Sequence, residues 1–184
     1  MCYQIGRELK HYFFTFISSF NKEEILKFNK NTGIIFRNYE KKTNRIELLE
    51  IKKFCKKHKM KLYLANNLKL AISLGLDGVY IPSFNKNFRV QKYNLRKNFL
   101  ILGSAHNFIE IKEKEKQGVD IIFLSPLFKT KHYKKGHGVI KFNFITRISA
   151  KKIIALGGIN KSNFNYLKIT NACGFSGISY FKNE

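Results

Sequence analysis

The sequence predicts an α/β fold, a small (β/α)8 TIM-type barrel whose final helix is missing, and three observations carry that expectation. Eight short apolar runs alternate with longer amphipathic stretches from end to end. The runs are β-branched or aromatic and nearly continuous in hydrophobicity, as strands buried on both faces of a parallel sheet are. One glycine-bearing junction recurs between helix and strand, which implies repeated βα units. At 184 residues with no compositional break, the chain is expected to form one domain over residues 1–184.

In chain order, the expected strands cover residues 12–17, 33–37, 61–65, 78–81, 99–104, 120–124, 152–156 and 174–179. Helical patterns lie between them, notably at 46–58 and 107–117. In the second, Phe108 and Ile111 fall three apart on one face, and Glu110 with the charged run 112–116 supplies the polar remainder. The recurrent junction reads Leu74-Gly75-Leu76-Asp77, Gln117-Gly118-Val119-Asp120 and Cys173-Gly174-Phe175-Ser176. Its glycine suits the left-handed position that ends a helix. A flavodoxin-like open sheet would use five or six strands, fewer than are present here.

Composition narrows the function. A net charge of +23 invites a nucleic-acid reading, but the lysines run from Lys10 to Lys182 without a dense block. With Asn, Ile and Phe equally abundant, the mixture is what an A/T-rich genome writes on neutral surface positions. A nucleic-acid partner is therefore not expected, whereas a basic surface does concentrate anionic small molecules. No apolar run is long enough to span a bilayer and no secretory leader is seen, so a cytoplasmic protein without a membrane partner is expected. Three cysteines without CxxC spacing fit a reducing compartment.

Barrel chemistry sits at the C-terminal ends of the strands. There Gly157 and Gly158, followed by Asn160, suit a phosphate held by main-chain amides. Strand eight adds Ile178 and Ser179 to the same cradle. The loop 125–138 is glycine-flanked and cationic, a candidate lid in which Thr130 offers a hydroxyl and Lys131, Lys134 and Lys135 offer charge. Ser104 and His106 share one side of strand five, and His106 is the candidate general acid/base, with no acidic partner evident in the sequence. Arg37 and Asn66 end strands two and three. No paired carboxylates stand near any strand end, because Asp77 and Asp120 lie at strand starts.

The segments LGLDGVYIPS (74–83), GSAH (103–106), VDIIFLSPLFKTK (119–131), ALGGIN (155–160) and GFSGISYF (174–181) resemble, in order and spacing, the thiamin phosphate synthase/TenI family; HYFFTF and IIFRNY fit more loosely. The resemblance implies a thiazole phosphate held at Gly158, Ile178 and Ser179 with Thr130 nearby. It also implies an aminopyrimidine pyrophosphate held by Mg2+, with Arg37 and Ser104 at family positions. The departures fall on that second half. Ile35 and Tyr39 replace the glutamine and lysine around Arg37, Ala65-Asn66 replaces Asn-Asp, and the second metal-binding aspartate falls at Phe84 or Asn85. The lid threonine and lysine fall at His132 and Tyr133. The TenI branch implies instead a thiazole tautomerase using His106, and a non-catalytic thiazole-phosphate binder is the third alternative.

Overall fold

The structure, a computed structural model, describes residues 12–40, 44–88 and 93–177. Eight parallel strands close a barrel in sequence order: β1 (Tyr12–Ile17), β2 (Gly33–Phe36), β3 (Lys61–Ala65), β4 (Gly78–Ile81), β5 (Leu100–Ala105), β6 (Ile121–Leu124), β7 (Lys152–Leu156) and β8 (Gly174–Ser176). The helices are α1 (Lys22–Leu26), α2 (Arg45–Lys57), α3 (Leu68–Ser73), α4 (Phe108–Lys116) and α5 (Gly138–Arg147), with a 3-10 segment at Phe164–Ile169. Among the described residues, the β4–β5 connection carries no α-helix. No described helix is long and apolar enough to cross a membrane.

Asparagines start most of the helices. Asn21, Asn44, Asn67 and Asn107 each accept an amide of the first turn through the side chain, satisfying a donor the helix itself leaves unpaired. Three strands differ from the expected limits by a residue: β2 stops at Phe36, β5 runs from Leu100 to Ala105 and β6 starts at Ile121, while the expected end of β8 at 179 lies outside the described residues. Phe99 donates to the Arg96 carbonyl and belongs to a turn. Asp120 sits just outside β6, and its carboxylate accepts from Ile101 N at 2.8 Å. Asp77 does the same for Leu62 N at 2.9 Å. Both aspartates thus stitch neighbouring strands at the N-terminal face, away from the chemistry.

Two of the three junction glycines are left-handed as expected, with φ of 59° at Gly75 and 78° at Gly118. The third is different. Gly174 opens β8 itself, and a Cβ there would run into the Tyr12 carbonyl, so its role is close strand approach. The face of α4 also differs from expectation. Ile111 is buried, but Phe108 is exposed and Lys114 is fully buried. Lys114 Nζ donates to Pro82 O at 2.9 Å, Asn85 O at 2.7 Å and Gln117 Oε1 at 2.8 Å. Gln117 Nε2 reaches Asn85 O and Asn87 O. Together they fix the loop after β4 from behind.

The barrel interior is unusually aromatic. Phe14, Phe16, Tyr63, Tyr80 and Phe123 fill it with Ile35, Leu102, Ile121 and Ile154. Phe14 meets Phe123 at 5.0 Å, Phe16 meets Tyr80 at 5.2 Å and Tyr80 meets Phe123 at 5.6 Å, all near edge-to-face, the geometry that aromatic quadrupoles favour. Two glycines beside these rings are held to hydrogen by what surrounds them. A Cβ on Gly33 would overlap the Phe14 ring, and one on Gly78 would stand 2.8 Å from Tyr63 Cδ1 and collide with the Leu100 carbonyl.

Gly78→Ala is therefore expected to destabilise the protein by about 2–3 kcal/mol in urea unfolding. Gly138→Ala, whose Cβ meets nothing within 4 Å and is opposed only by a φ of +66°, is expected to cost about 1 kcal/mol. Equal losses in the two variants would remove the steric account of the core.

Candidate active site at the barrel mouth

A parallel barrel puts every strand end on one rim. Arg37 after β2, Asn66 after β3, Asn85 after β4, Ser104 and His106 on and after β5, the loop after β6 and the Gly157-Gly158 turn after β7 all stand on it. Ile178 and Ser179 lie outside the described residues. One side of the rim is rich in main-chain donors, and the other presents amides, aromatics and a guanidinium.

The donor side is formed by two loops packed together. Leu127 N donates to Leu156 O at 2.8 Å and Phe128 N to Gly157 O at 3.0 Å. Gly157 and Gly158 take φ of 93° and 72°. A Cβ on Gly157 would lie 2.9 Å from Pro126 Cα, and one on Gly158 would strike the Lys129 carbonyl. These glycines are thus needed for loop contact as well as for conformation. Their turn is held by Asn163, whose Nδ2 donates to Gly158 O at 2.7 Å and whose Oδ1 accepts Asn160 N at 2.9 Å. Asn160 Oδ1 in turn accepts the amides of Ser162 and Asn163. The amides of Gly157, Gly158 and Ile159 find no acceptor among the described residues. Three consecutive N–H groups without an acceptor among the described residues are donors of the kind that suits an anion.

The loop after β6 is stapled at its base, where His137 N donates to Pro126 O at 2.9 Å and Gly138 N to Leu127 O at 2.9 Å. Its tip is exposed from Lys131 to Lys135. Thr130 Oγ1 accepts Tyr133 N at 3.0 Å, which leaves its O–H proton available to a ligand. On β8, Ser176 Oγ is buried and finds no partner among the described residues. In register it pairs with Leu156 at the end of β7 and with Phe14. Sequence reading placed the strand-eight hydroxyl at Ser179, which lies outside the described residues, and did not weigh Ser176 as a site residue. Alternation from the outward-packed Phe175 would have found it.

His106 does have an acidic partner, contrary to the sequence expectation. Glu110 Oε2 accepts the His106 amide at 2.8 Å and contacts Nδ1 at 2.9 Å. Asn107 caps the helix by accepting Glu110 N at 2.9 Å. An Asn-x-x-Glu capping box was the available signal. In the neutral tautomer that donates Nδ1–H to the carboxylate, Nε2 carries the lone pair. Tyr133 stacks on the ring at 5.9 Å and 30°. His137 approaches the main chains of Ser125 and His106; burial, then Lys141, holds its pKa below the ordinary value, although those main-chain contacts oppose the shift. Ser104 is buried against the Tyr80 phenol, which burial pushes up to about 12. It supports the wall of the mouth.

Across the rim, Arg37 lies on the Phe16 ring at 4.4 Å, and no carboxylate among the described residues pairs with it. Asn66, left-handed at φ 59°, accepts from Asn85 Nδ2 at 2.6 Å. Asn85 Oδ1 accepts Asn87 N at 2.8 Å. The two family metal positions are thus brought together, but as neutral amides whose oxygens already accept hydrogen bonds. Among the described residues no three His, Cys, Asp or Glu side chains gather to hold an ion. Mg2+ favours carboxylate oxygens, and this donor set does not fit a protein-held Mg2+.

Burial lowers the Lys114 pKa to about 8 from 10.5, with Lys86 adding to the fall and Glu113 and Glu110 opposing it. Between those values the unfolded chain holds a proton that the folded chain has lost, so stability rises with pH. Over pH 8 to 10 wild type is expected to gain stability relative to Lys114→Met in chemical denaturation. A difference that stays constant across that range would refute the assignment.

A family model described as thiamine monophosphate synthase (TMP-TENI) matches residues 22–181. The putative thiamine-phosphate synthase 2 of Aquifex aeolicus is 32% identical over 135 residues, 72% of each chain. The thiamine-phosphate synthase of Pelagibacter ubique is 30% identical over 146 residues, 76% of this chain and 70% of that one. The Prochlorococcus marinus (MED4) enzyme of the same name is 32% identical over 66% of this chain but only 35% of its own length. Among solved structures, thiamine phosphate pyrophosphorylase from Pyrococcus furiosus superposes with a TM-score of 0.71 over 93% of this chain and 90% of that one, at 18% identity. That last likeness speaks for the fold.

Proposed function

Because the chain belongs to the thiamine monophosphate synthase family, we propose that it joins a thiazole phosphate to an aminopyrimidine pyrophosphate to form thiamin phosphate. The observation that carries this reading is the run of three amides at Gly157, Gly158 and Ile159 that have no acceptor among the described residues. They suit the thiazole phosphate, with the Thr130 hydroxyl beside them and Lys131 adding charge. In the reaction the pyrimidine methylene C–O bond breaks and pyrophosphate leaves with the electron pair. The thiazole nitrogen then forms the new C–N bond to the cation. The protein's part is to position the two rings and to stabilise the departing anion. Arg37, without a carboxylate partner among the described residues, is suited to that anion, and Ser104 with Tyr80 shapes the wall between the halves.

Purified protein supplied with both substrates is expected to form thiamin phosphate, detected by mass spectrometry; yield no higher than the enzyme-free control would sink the reading. Gly158→Ala puts a Cβ against the Lys129 carbonyl in a left-handed turn and is expected to weaken thiazole phosphate binding by at least about tenfold. Thr130→Val, a milder change, is expected to weaken it about fivefold. Titration calorimetry reads both, and unchanged affinity in the pair would move the phosphate elsewhere.

The His106–Glu110 pair favours a second reading, a thiazole tautomerase in which His106 Nε2 moves a ring proton. Under that reading His106→Ala abolishes isomerisation in a proton-exchange assay, and an unaltered rate would exclude His106 from the chemistry.

A further inference from the structure

The β2–β4 side of the mouth differs in kind from a carboxylate-held metal centre. Tyr39 and Phe84, on the loops after β2 and β4, meet edge to face at 5.8 Å and 72°. They do so while 52% and 65% exposed. Two large rings in contact across separate loops and still half in water contribute little core; they offer flat apolar faces to something planar. Arg37, seated on the Phe16 ring at 4.4 Å and two residues before Tyr39, puts a cation on the same loop, and its charge opposes the rise that burial causes in the Tyr39 pKa. The loops after β3 and β4, which metal ligands would otherwise tie together, are joined by the Asn66–Asn85 amide hydrogen bond. The second of these loops is fixed from behind by Lys114 and Gln117.

Charge bookkeeping points the same way. A pyrophosphate needs positive charge around it, and a divalent ion supplies two units. Here Arg37, the exposed Lys131, Lys134 and Lys135, and a whole-chain net charge of +23 create a positive field over the rim without one.

We propose that this chain binds the aminopyrimidine pyrophosphate without a protein-held divalent cation. The Tyr39–Phe84 pair takes the planar ring by stacking, Arg37 takes the anionic group, and the Asn66–Asn85 bridge closes the loops. The proposal rests on the synthase reading above and specifies how its second substrate is held.

The test titrates aminopyrimidine pyrophosphate into the full chain, once with Mg2+ and once with EDTA, and titrates thiazole phosphate separately. The pyrimidine affinity is expected to agree within about threefold between the two conditions. Tyr39→Ala and Phe84→Ala are each expected to weaken it about tenfold, the scale of ring stacking on an aromatic side chain. The double variant Asn66→Asp/Asn85→Asp is expected to acquire a bound Mn2+ signal in electron paramagnetic resonance that wild type lacks. The proposal is overturned by a tenfold or greater loss of affinity in EDTA, by no pyrimidine binding in EDTA, by wild-type affinity in both alanine variants, or by Mn2+ bound to wild type itself. If thiazole phosphate still binds in any of those cases, only this inference falls. If thiazole phosphate does not bind, the synthase reading falls with it.

Discussion

Five aromatic rings inside an eight-stranded barrel impose a volume constraint that the rest of the wall has to meet. Barrel interiors are more often filled by branched aliphatic side chains in layers. Here Phe14, Phe16, Tyr63, Tyr80 and Phe123 occupy that space, and the strands beside them give up their Cβ atoms at Gly33 and Gly78. The rings then do more than fill. Phe16 presents the face on which Arg37 rests, and Tyr80 carries Ser104. The floor of the mouth is continuous with the core, so its shape is as rigid as the packing below it.

On that floor the two halves of the rim are built by different means. The half formed by the β6 and β7 loops uses main-chain amides, whose direction is fixed by glycine conformation and by the Asn160–Asn163 network. Such donors bear no titratable group and lose little entropy on binding. The half formed by β2, β3 and β4 uses side chains, and its order comes from neighbours: α4 supplies Lys114 and Gln117 to hold the loop on which Asn85 sits. A substitution on the outer wall of α4 can therefore reach the mouth without touching a ligand.

Much of this architecture was legible from residue patterns, because strands buried on both faces leave continuous apolar runs. The limits of β1, β3, β4 and β7 agree with the expected residues. Errors arose where a side chain works against its class. Lys114 sits in a charged run and reads as solvent-facing, but its buried ammonium meets three acceptors that lie about thirty residues away or on its own helix. Gly174 resembles a helix-ending glycine in sequence, whereas a neighbouring strand's carbonyl dictates it. His106 seemed alone because its partner lies four residues along the following helix and not along the strand. The candidate residues Arg37, Asn66, Asn85, Gly157 and Gly158 stand just past strand ends and Thr130 within the loop after β6, on one rim where topology alone gathers them. What those ends hold depends on contacts between loops, and these leave no period in the sequence.

The barrel's closure rests on β8, whose three residues Gly174–Ser176 pair with Tyr12, Phe13 and Phe14 on one side and with Ile154, Ala155 and Leu156 on the other. Each of these joints is three residues long among the described residues, and the β7 joint lies beside the turn amides that have no acceptor among them. An anion shared by that turn and the neighbourhood of Ser176 would act as a clasp on the β7 side while leaving the β1 side as before. Occupancy would then change where the wall parts first as well as how often. Amide hydrogen exchange in β1 and β7 would report the two joints separately, making the opening of the ring an indirect gauge of what its mouth contains.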